Sequence, residues 1–199
     1  TISIIGSHPF LMSKLTKINR GFFISILSAF NDLDSSISEQ CQLRKKESQL
    51  LPLIYFTCLI LLLSQLIQVT SEVQKDPYIS IVTALVVSYF FFLPIFMYIF
   101  SFILYLVLKM FGGVSSIFQT RLALFWSLSI STSIILLISI IKIFLSGIAE
   151  VLVVIASELL VVYIFSRMIS FVSSFKDRNL FTLTVTSIYL AQVMLVYSR

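Results

Sequence analysis

The run Ile79-Ser-Ile-Val-Thr-Ala-Leu-Val-Val-Ser-Tyr-Phe-Phe-Phe-Leu-Pro-Ile-Phe-Met-Tyr-Ile-Phe-Ser-Phe-Ile-Leu-Tyr-Leu-Val-Leu108 carries no charged side chain. A helix rises about 1.5 Å per residue, so roughly 20 residues cross a hydrocarbon core of about 30 Å while satisfying their own backbone hydrogen bonds. At 30 residues this run is longer than one crossing requires. That length predicts a tilted helix, a bend at Pro94 or an end that projects beyond the lipid.

Three more segments of the same kind flank it. Leu50 to Val69 is entered through Pro52, which a helix tolerates in its first turn because no intrahelical partner awaits the missing N–H. Leu122 to Ile141 is the third, and the fourth lies between Lys142 and Arg167, interrupted by Glu150 and Glu158. A fifth stretch, Leu180 to Tyr197, is shorter and carries Thr182, Thr184, Thr186, Ser187 and Gln192, so a crossing and an interfacial placement both fit it. A chain with 58% hydrophobic and 12% charged residues has too little polar surface to cover a water-soluble body, and its mean hydropathy of +1.05 agrees. The expected fold is an all-α integral membrane protein with four to five transmembrane helices plus an N-terminal amphipathic helix. Residues 1–49 would form a cytoplasmic or interfacial segment, 50–170 a four-helix membrane domain, and 171–199 a fifth transmembrane or interfacial helix.

Cations are retained preferentially on the cytoplasmic side of short loops. With the N-terminus inside, Lys14, Lys17, Arg20, Arg44, Lys45, Lys46, Lys109, Arg121, Arg167, Lys176 and Arg178 fall on that side, against Lys75 and Lys142 outside. Arg199 follows the fifth segment. The net charge of +5 is therefore a topology signal, and nucleic acid is not an expected partner. An integral-membrane location with a cytoplasmic N-terminus is expected.

Residues 9–30 lack the compact apolar run of a cleavable signal peptide. Leu11, Leu15, Ile18, Phe22, Ile26 and Phe30 instead recur at helical spacing, with Lys14, Lys17 and Arg20 on a neighbouring stripe and Ser7, His8 and Pro9 as a helix start. Such a helix lies on an anionic leaflet or packs against the bundle or a partner subunit. Ser36 and Glu39 have capping-box spacing, which predicts a second helix that starts there and runs through Arg44, Lys45, Lys46 and Glu47 into, or nearly into, the first span. This cluster marks a membrane boundary and a candidate lipid surface.

Charged groups within hydrocarbon are costly and are functional candidates by default. Glu150 and Glu158 stand about 80° apart around a helix and roughly 12 Å along it, too far to share a proton directly. Glu150 is expected near the outer boundary, facing water or Lys142. Glu158 reads either as a proton- or ion-handling carboxylate or as a side chain joining helices; Arg167 reads as a boundary cation. Ala123, Ser127 and Ser131 recur every fourth residue in the third span, a face that lets another helix approach closely. Ser129, Ser133 and Ser139 have no histidine nearby to act as base, His8 being the only one in the chain. Cys41 and Cys58 lack metal-ligand spacing, and Gly112 and Gly113 lack the surroundings of a phosphate loop, so a turn is expected there. The 19 Phe residues and Tyr55, Tyr78, Tyr89, Tyr98, Tyr105 and Tyr163 suit lipid contact and interfacial anchoring. No catalytic residue, metal site or cofactor is expected.

Lys109-Met-Phe-Gly-Gly-Val-Ser-Ser-Ile-Phe-Gln-Thr-Arg-Leu-Ala-Leu-Phe-Trp-Ser-Leu128 resembles the loop and following helix of short bacterial members of the Yip/Yif family of Rab-interacting membrane proteins. Arg44-Lys-Lys-Glu-Ser-Gln-Leu50 is similar to the charged entry to that family's first helix, and Phe92-Leu-Pro-Ile-Phe-Met-Tyr98 to its proline-containing second helix. The resemblance spans about residues 40–170, with Asp177 to Arg199 beyond it. A proline and most glycines common around the third and fourth helices are missing, the middle of the third span reading Ser131-Thr132-Ser133. The resemblance implies a helical membrane domain of four or five spans with a cytoplasmic N-terminus, and no catalytic residue. The expected role is a non-catalytic scaffold, assembly factor or accessory subunit, in contact with membrane lipids and with a membrane-protein partner or a second copy. The alternative is a transport or proton-conducting subunit using Glu158.

Overall fold

The computed structural model describes residues 22–72 and 78–197. The cations Lys14, Lys17 and Arg20, the apolar positions Leu11, Leu15 and Ile18, and His8 and Lys75 lie outside the described residues. Within them the chain forms α1 (Phe22–Ala29), α2 (Leu33–Leu43), a 3-10 turn (Glu47–Gln49), α3 (Leu51–Glu72), α4 (Tyr78–Val87), a π turn (Ser88–Phe92), α5 (Leu93–Met110), α6 (Ile117–Lys142), α7 (Ile148–Val172) and α8 (Arg178–Tyr197). No strand occurs among the described residues. Among the described residues four stretches are long and apolar enough to cross a membrane: Glu47–Val69, Ser80–Met110, Ile117–Lys142 and Ile148–Val172.

The second span stays helical through Pro94, with a π turn immediately before it. Proline has no N–H to return to the carbonyl four residues back, so an ordinary helix would leave an acceptor unpaired in lipid. Here the turn widens by one residue immediately before it, and the Leu93 N–H donates to Ser88 O. Next to Pro94, one of the places where the sequence offered a disturbance of the helix, the winding changes locally.

α6 is the most enclosed of the four spans. Leu122 to Ser127 are buried without interruption, so this stretch is surrounded on every side, by α3, α5, α7 and the N-terminal helices. It begins earlier than the apolar run suggested. Ser116 Oγ accepts the Gln119 N–H at 3.2 Å and Gln119 Oε1 accepts the Ser116 N–H at 3.0 Å, a reciprocal cap that starts the helix at Ile117 and takes Arg121 inside it. The preceding turn needs its two glycines for different reasons. Gly112 has φ +80°, whereas a Cβ on Gly113 would lie 2.9 Å from the Leu108 carbonyl oxygen.

The N-terminal helices pack on the bundle. Phe22 meets Phe56 edge-on at 4.8 Å and Trp126 at 5.9 Å, with Ser25, Ile26 and Ala29 buried behind it. The described part of the 9–30 segment therefore follows the bundle-packing alternative on one face. Its other face, Ile24 and Leu27, is exposed. α2 starts three residues before the expected Ser36: Asp32 Oδ1 accepts the N–H groups of Asp34 and Ser35, both at 3.1 Å. Ser36 is thereby released from capping, and its buried Oγ accepts the Trp126 indole N–H at 2.9 Å. Nor does α2 run into the first span. Arg44 adopts an extended conformation and the chain makes a separate 3-10 turn before α3.

α8 folds back antiparallel along α7 after a turn in which Ser174 has φ 53°. Two rungs fix the pairing, Asn179 with Arg167 and Tyr189 with Glu158.

The Trp126 contact is testable. Trp126→Phe keeps the ring but strands the Ser36 hydroxyl, a loss of about 1 kcal/mol, whereas Trp126→Ala opens a cavity worth roughly 3–5 kcal/mol. The melting temperature in detergent should fall slightly for the first and steeply for the second. Equal shifts would show that the indole is not packed as described.

Candidate functional site

Polar chemistry gathers at one end of the bundle, where the turns before α3, between α5 and α6, and between α7 and α8 come together. A backbone bond from the Val114 N–H to Ser173 O at 3.1 Å ties two of these turns directly. Arg121, one helical turn into α6, reaches across this end: its NH1 donates to Glu47 Oε1 at 2.9 Å, its Nε to Ser101 Oγ at 3.2 Å, and its guanidinium lies over the Tyr98 ring at 5.2 Å. It thereby joins the entry to α3, the body of α5 and the first turns of α6. Arg167 makes the second knot. Its Nε and NH2 donate to the two carboxylate oxygens of Asp34 at 2.9 and 2.7 Å, and NH1 donates to Asn179 Oδ1 at 2.6 Å. Arg178 approaches the same Asp34 oxygen at 3.5 Å. The two-pronged geometry suits guanidinium and carboxylate, and Asp34 thus holds α2 against both α7 and α8.

The expected boundary cation Arg167 is therefore a tie between elements. Asp34, Asn179 and Tyr189 were not singled out from the sequence. The signal for Asp34 was present: an acid in the first turn of a polar helix, with unmatched cations far along the chain.

At the opposite end Lys142 Nζ sits 3.3 Å from Glu150 Oε1 across the turn between α6 and α7. Glu158 lies deeper, and its Oε2 accepts the Tyr189 O–H at 3.0 Å. The two carboxylates thus have separate partners on different elements. Ala123, Ser127 and Ser131 are buried, but the hydroxyl bonds between helices are made elsewhere on α6. Ser127 turns back to Leu124 O at 2.8 Å and Ser131 Oγ has no hydrogen-bond partner among the described residues. Ser129 instead meets Thr57 at 3.2 Å, and Ser139 accepts from Gln68 at 3.3 Å, so two polar rungs join α6 to α3. Cys41 is half-buried and burial pushes its thiol pKa up, the direction opposite to that of an activated cysteine. Among the described residues no group of three or more His, Cys, Asp or Glu side chains is placed to hold a metal ion.

A family model described as the Yip1 domain matches residues 40–198, most of the chain. The chain belongs to the Yip1 family. The match corrects the extent read from the sequence, since the Yip1 domain reaches past residue 170 and takes in all of α8. It begins at Gln40, so most of the helix carrying Asp34 precedes it. No match was found among curated proteins or among solved structures. The Yip1 domain is here an all-helical integral membrane protein.

Asp34→Asn keeps the shape of the knot and removes its charge. Charge-assisted bonds of this kind are worth roughly 1.5–3 kcal/mol, so the N-terminal helices should detach more readily. Limited proteolysis of the detergent-solubilised protein should cut between residues 30 and 50 several-fold faster than in the parent, and an unchanged rate would remove Asp34 from the docking account.

Proposed function

We infer that this Yip1-domain protein is a non-catalytic scaffold, assembly factor or accessory subunit of a larger complex, resident in a bacterial inner membrane with its N-terminus in the cytoplasm. The observation that carries the reading is the use made of its ionisable side chains. Asp34, Glu47, Glu150 and Glu158 each meet a partner on another element, so the groups that could do chemistry hold helices together. The second span contrasts with this. Little of Ser80–Met110 is covered by protein, and Phe91, Phe92, Ile95 and Phe96 stand exposed along it. That surface faces lipid or another membrane protein, including a second copy of this chain.

The charge distribution supports the orientation, since Arg44, Lys45, Lys46, Lys109, Arg121, Arg167, Lys176 and Arg178 belong to the three joined turns or the helix ends beside them. The residues divide as 1–49 for a cytoplasmic or interfacial segment, 50–170 for the four-helix membrane domain and 171–199 for a fifth crossing. The antiparallel rungs between α7 and α8 support that crossing: a helix lying along a span at two depths takes the direction of that span.

Three measurements test these readings. The mass of the complex in mild detergent should exceed the 22.6 kDa of one chain; a monomer with nothing copurifying counts against a scaffold. Alkaline phosphatase joined after residue 199 should be active in a bacterial host, and silence would place α8 at the interface. Glu158→Gln in proteoliposomes should leave proton flux unchanged while lowering thermal stability, and loss of flux at full stability would replace the scaffold by a proton-conducting role.

A further inference from the structure

The described residues include four arginines, and three of them meet a carboxylate: Arg121 with Glu47 at 2.9 Å, and Arg167 and Arg178 with Asp34 at 2.7 and 3.5 Å. Arg44 does not. Its Nε donates to Gln40 Oε1 at 2.8 Å and its NH1 to Gln49 O at 2.5 Å, both neutral acceptors. Burial pushes its pKa down, as happens when a cation gives up water without gaining a counter-charge. Lys45 and Lys46 follow on the same turn, exposed and in no ion pair among the described residues. Their N–H groups both donate to Gln49 Oε1, at 2.8 and 3.2 Å, which fixes the turn around that amide.

Arg44 lines a groove of about 470 Å³ between α1, the end of α2 and the entry to α3. Its walls divide by polarity: Phe22, Leu43 and Pro52 are apolar, whereas Ser25, Gln40 and Gln49 offer hydrogen-bonding groups. The size falls among small-molecule sites, roughly 300–1,000 Å³. Leu51 and Tyr55, both exposed, carry an apolar surface onward along α3.

The geometry points to an anionic phospholipid of the surrounding bilayer as the occupant of this groove, its phosphate on Arg44 with Lys45 and Lys46 at the rim. The chains would leave over Leu43, Pro52 and Leu51. A soluble phosphate ester would meet the cations but leave the apolar wall unused, and a zwitterionic lipid would use the wall but supply no net counter-charge. The site goes beyond the scaffold reading and does not depend on it.

The test uses the full chain in neutral detergent, titrated with short-chain phosphatidylglycerol, phosphatidylcholine of equal chain length and glycerol 3-phosphate, and followed by native mass spectrometry. Phosphatidylglycerol should bind at least about tenfold tighter than either of the others. Arg44→Gln should weaken it about fivefold, the worth of one basic residue near an anionic surface, and Arg44→Lys should recover part of the loss. If Arg44→Gln fails to fold, the exposed pair Lys45→Gln and Lys46→Gln carries the same test, with a several-fold loss expected. Lys176→Gln, at the same end of the bundle but outside the groove, should change nothing. Equal binding of the two lipids overturns the proposal, as does equally tight glycerol 3-phosphate. So does a loss with Lys176→Gln matching that with Arg44→Gln, or displacement of the lipid by a polyglutamate peptide at lower concentration.

Discussion

Hydrocarbon provides no hydrogen-bond partner, and this single constraint organises the molecule from its backbone to its side chains. Hydroxyls within the spans turn back onto their own helices, as Thr57 does to Leu53 O and Ser129 to Phe125 O, and a few then reach across to a neighbour. The contacts between α3 and α6 are built this way. Because water does not compete at such depth, even modest hydroxyl pairs help define which helix faces which.

Charge obeys the same constraint with larger stakes. The ion pairs lie at the ends of the bundle, and each joins elements far apart in sequence or across a turn. Asp34 serves two cations from α7 and α8, and Arg121 serves an acid, a hydroxyl and an aromatic face at once. Removing one member of such a set leaves its partners short of compensation, which makes the charged end a cooperative unit. Arg44 stands outside these sets, and its isolation becomes informative against that background.

The four long spans were legible because twenty apolar residues in succession are a coarse signal that needs no partner to interpret. The tally of cations was equally plain. What remained hidden depended on distance in the chain. Ser36 looked like a cap because Glu39 followed at the right interval; only the fold brings Trp126 to its hydroxyl and lets Asp32 take over the capping. Arg167 looked like a boundary cation since nothing local identifies Asp34 or Asn179 as its partners. Similarly, the stripe of Ala123, Ser127 and Ser131 was visible, but which hydroxyls bond across the interface depends on the rotation of α6 against α3, and Ser129 and Ser139 are the ones so turned. Local spacing reveals which elements form, while long-range pairing decides what their side chains do.

The π turn at Ser88–Phe92 gives the second span a phase offset. One additional residue in a turn shifts everything that follows by about 100° relative to a regular helix. The aromatic ridge of α5 is consequently aimed independently of α4, although both belong to one continuous rod. Rewinding this stretch uniformly at its present length would swing Phe96, Phe100 and their neighbours away from their present bearing, whereas deleting one residue with it would keep them there. The membrane-facing outline of this protein is therefore set as much by how one turn is wound as by which residues decorate it.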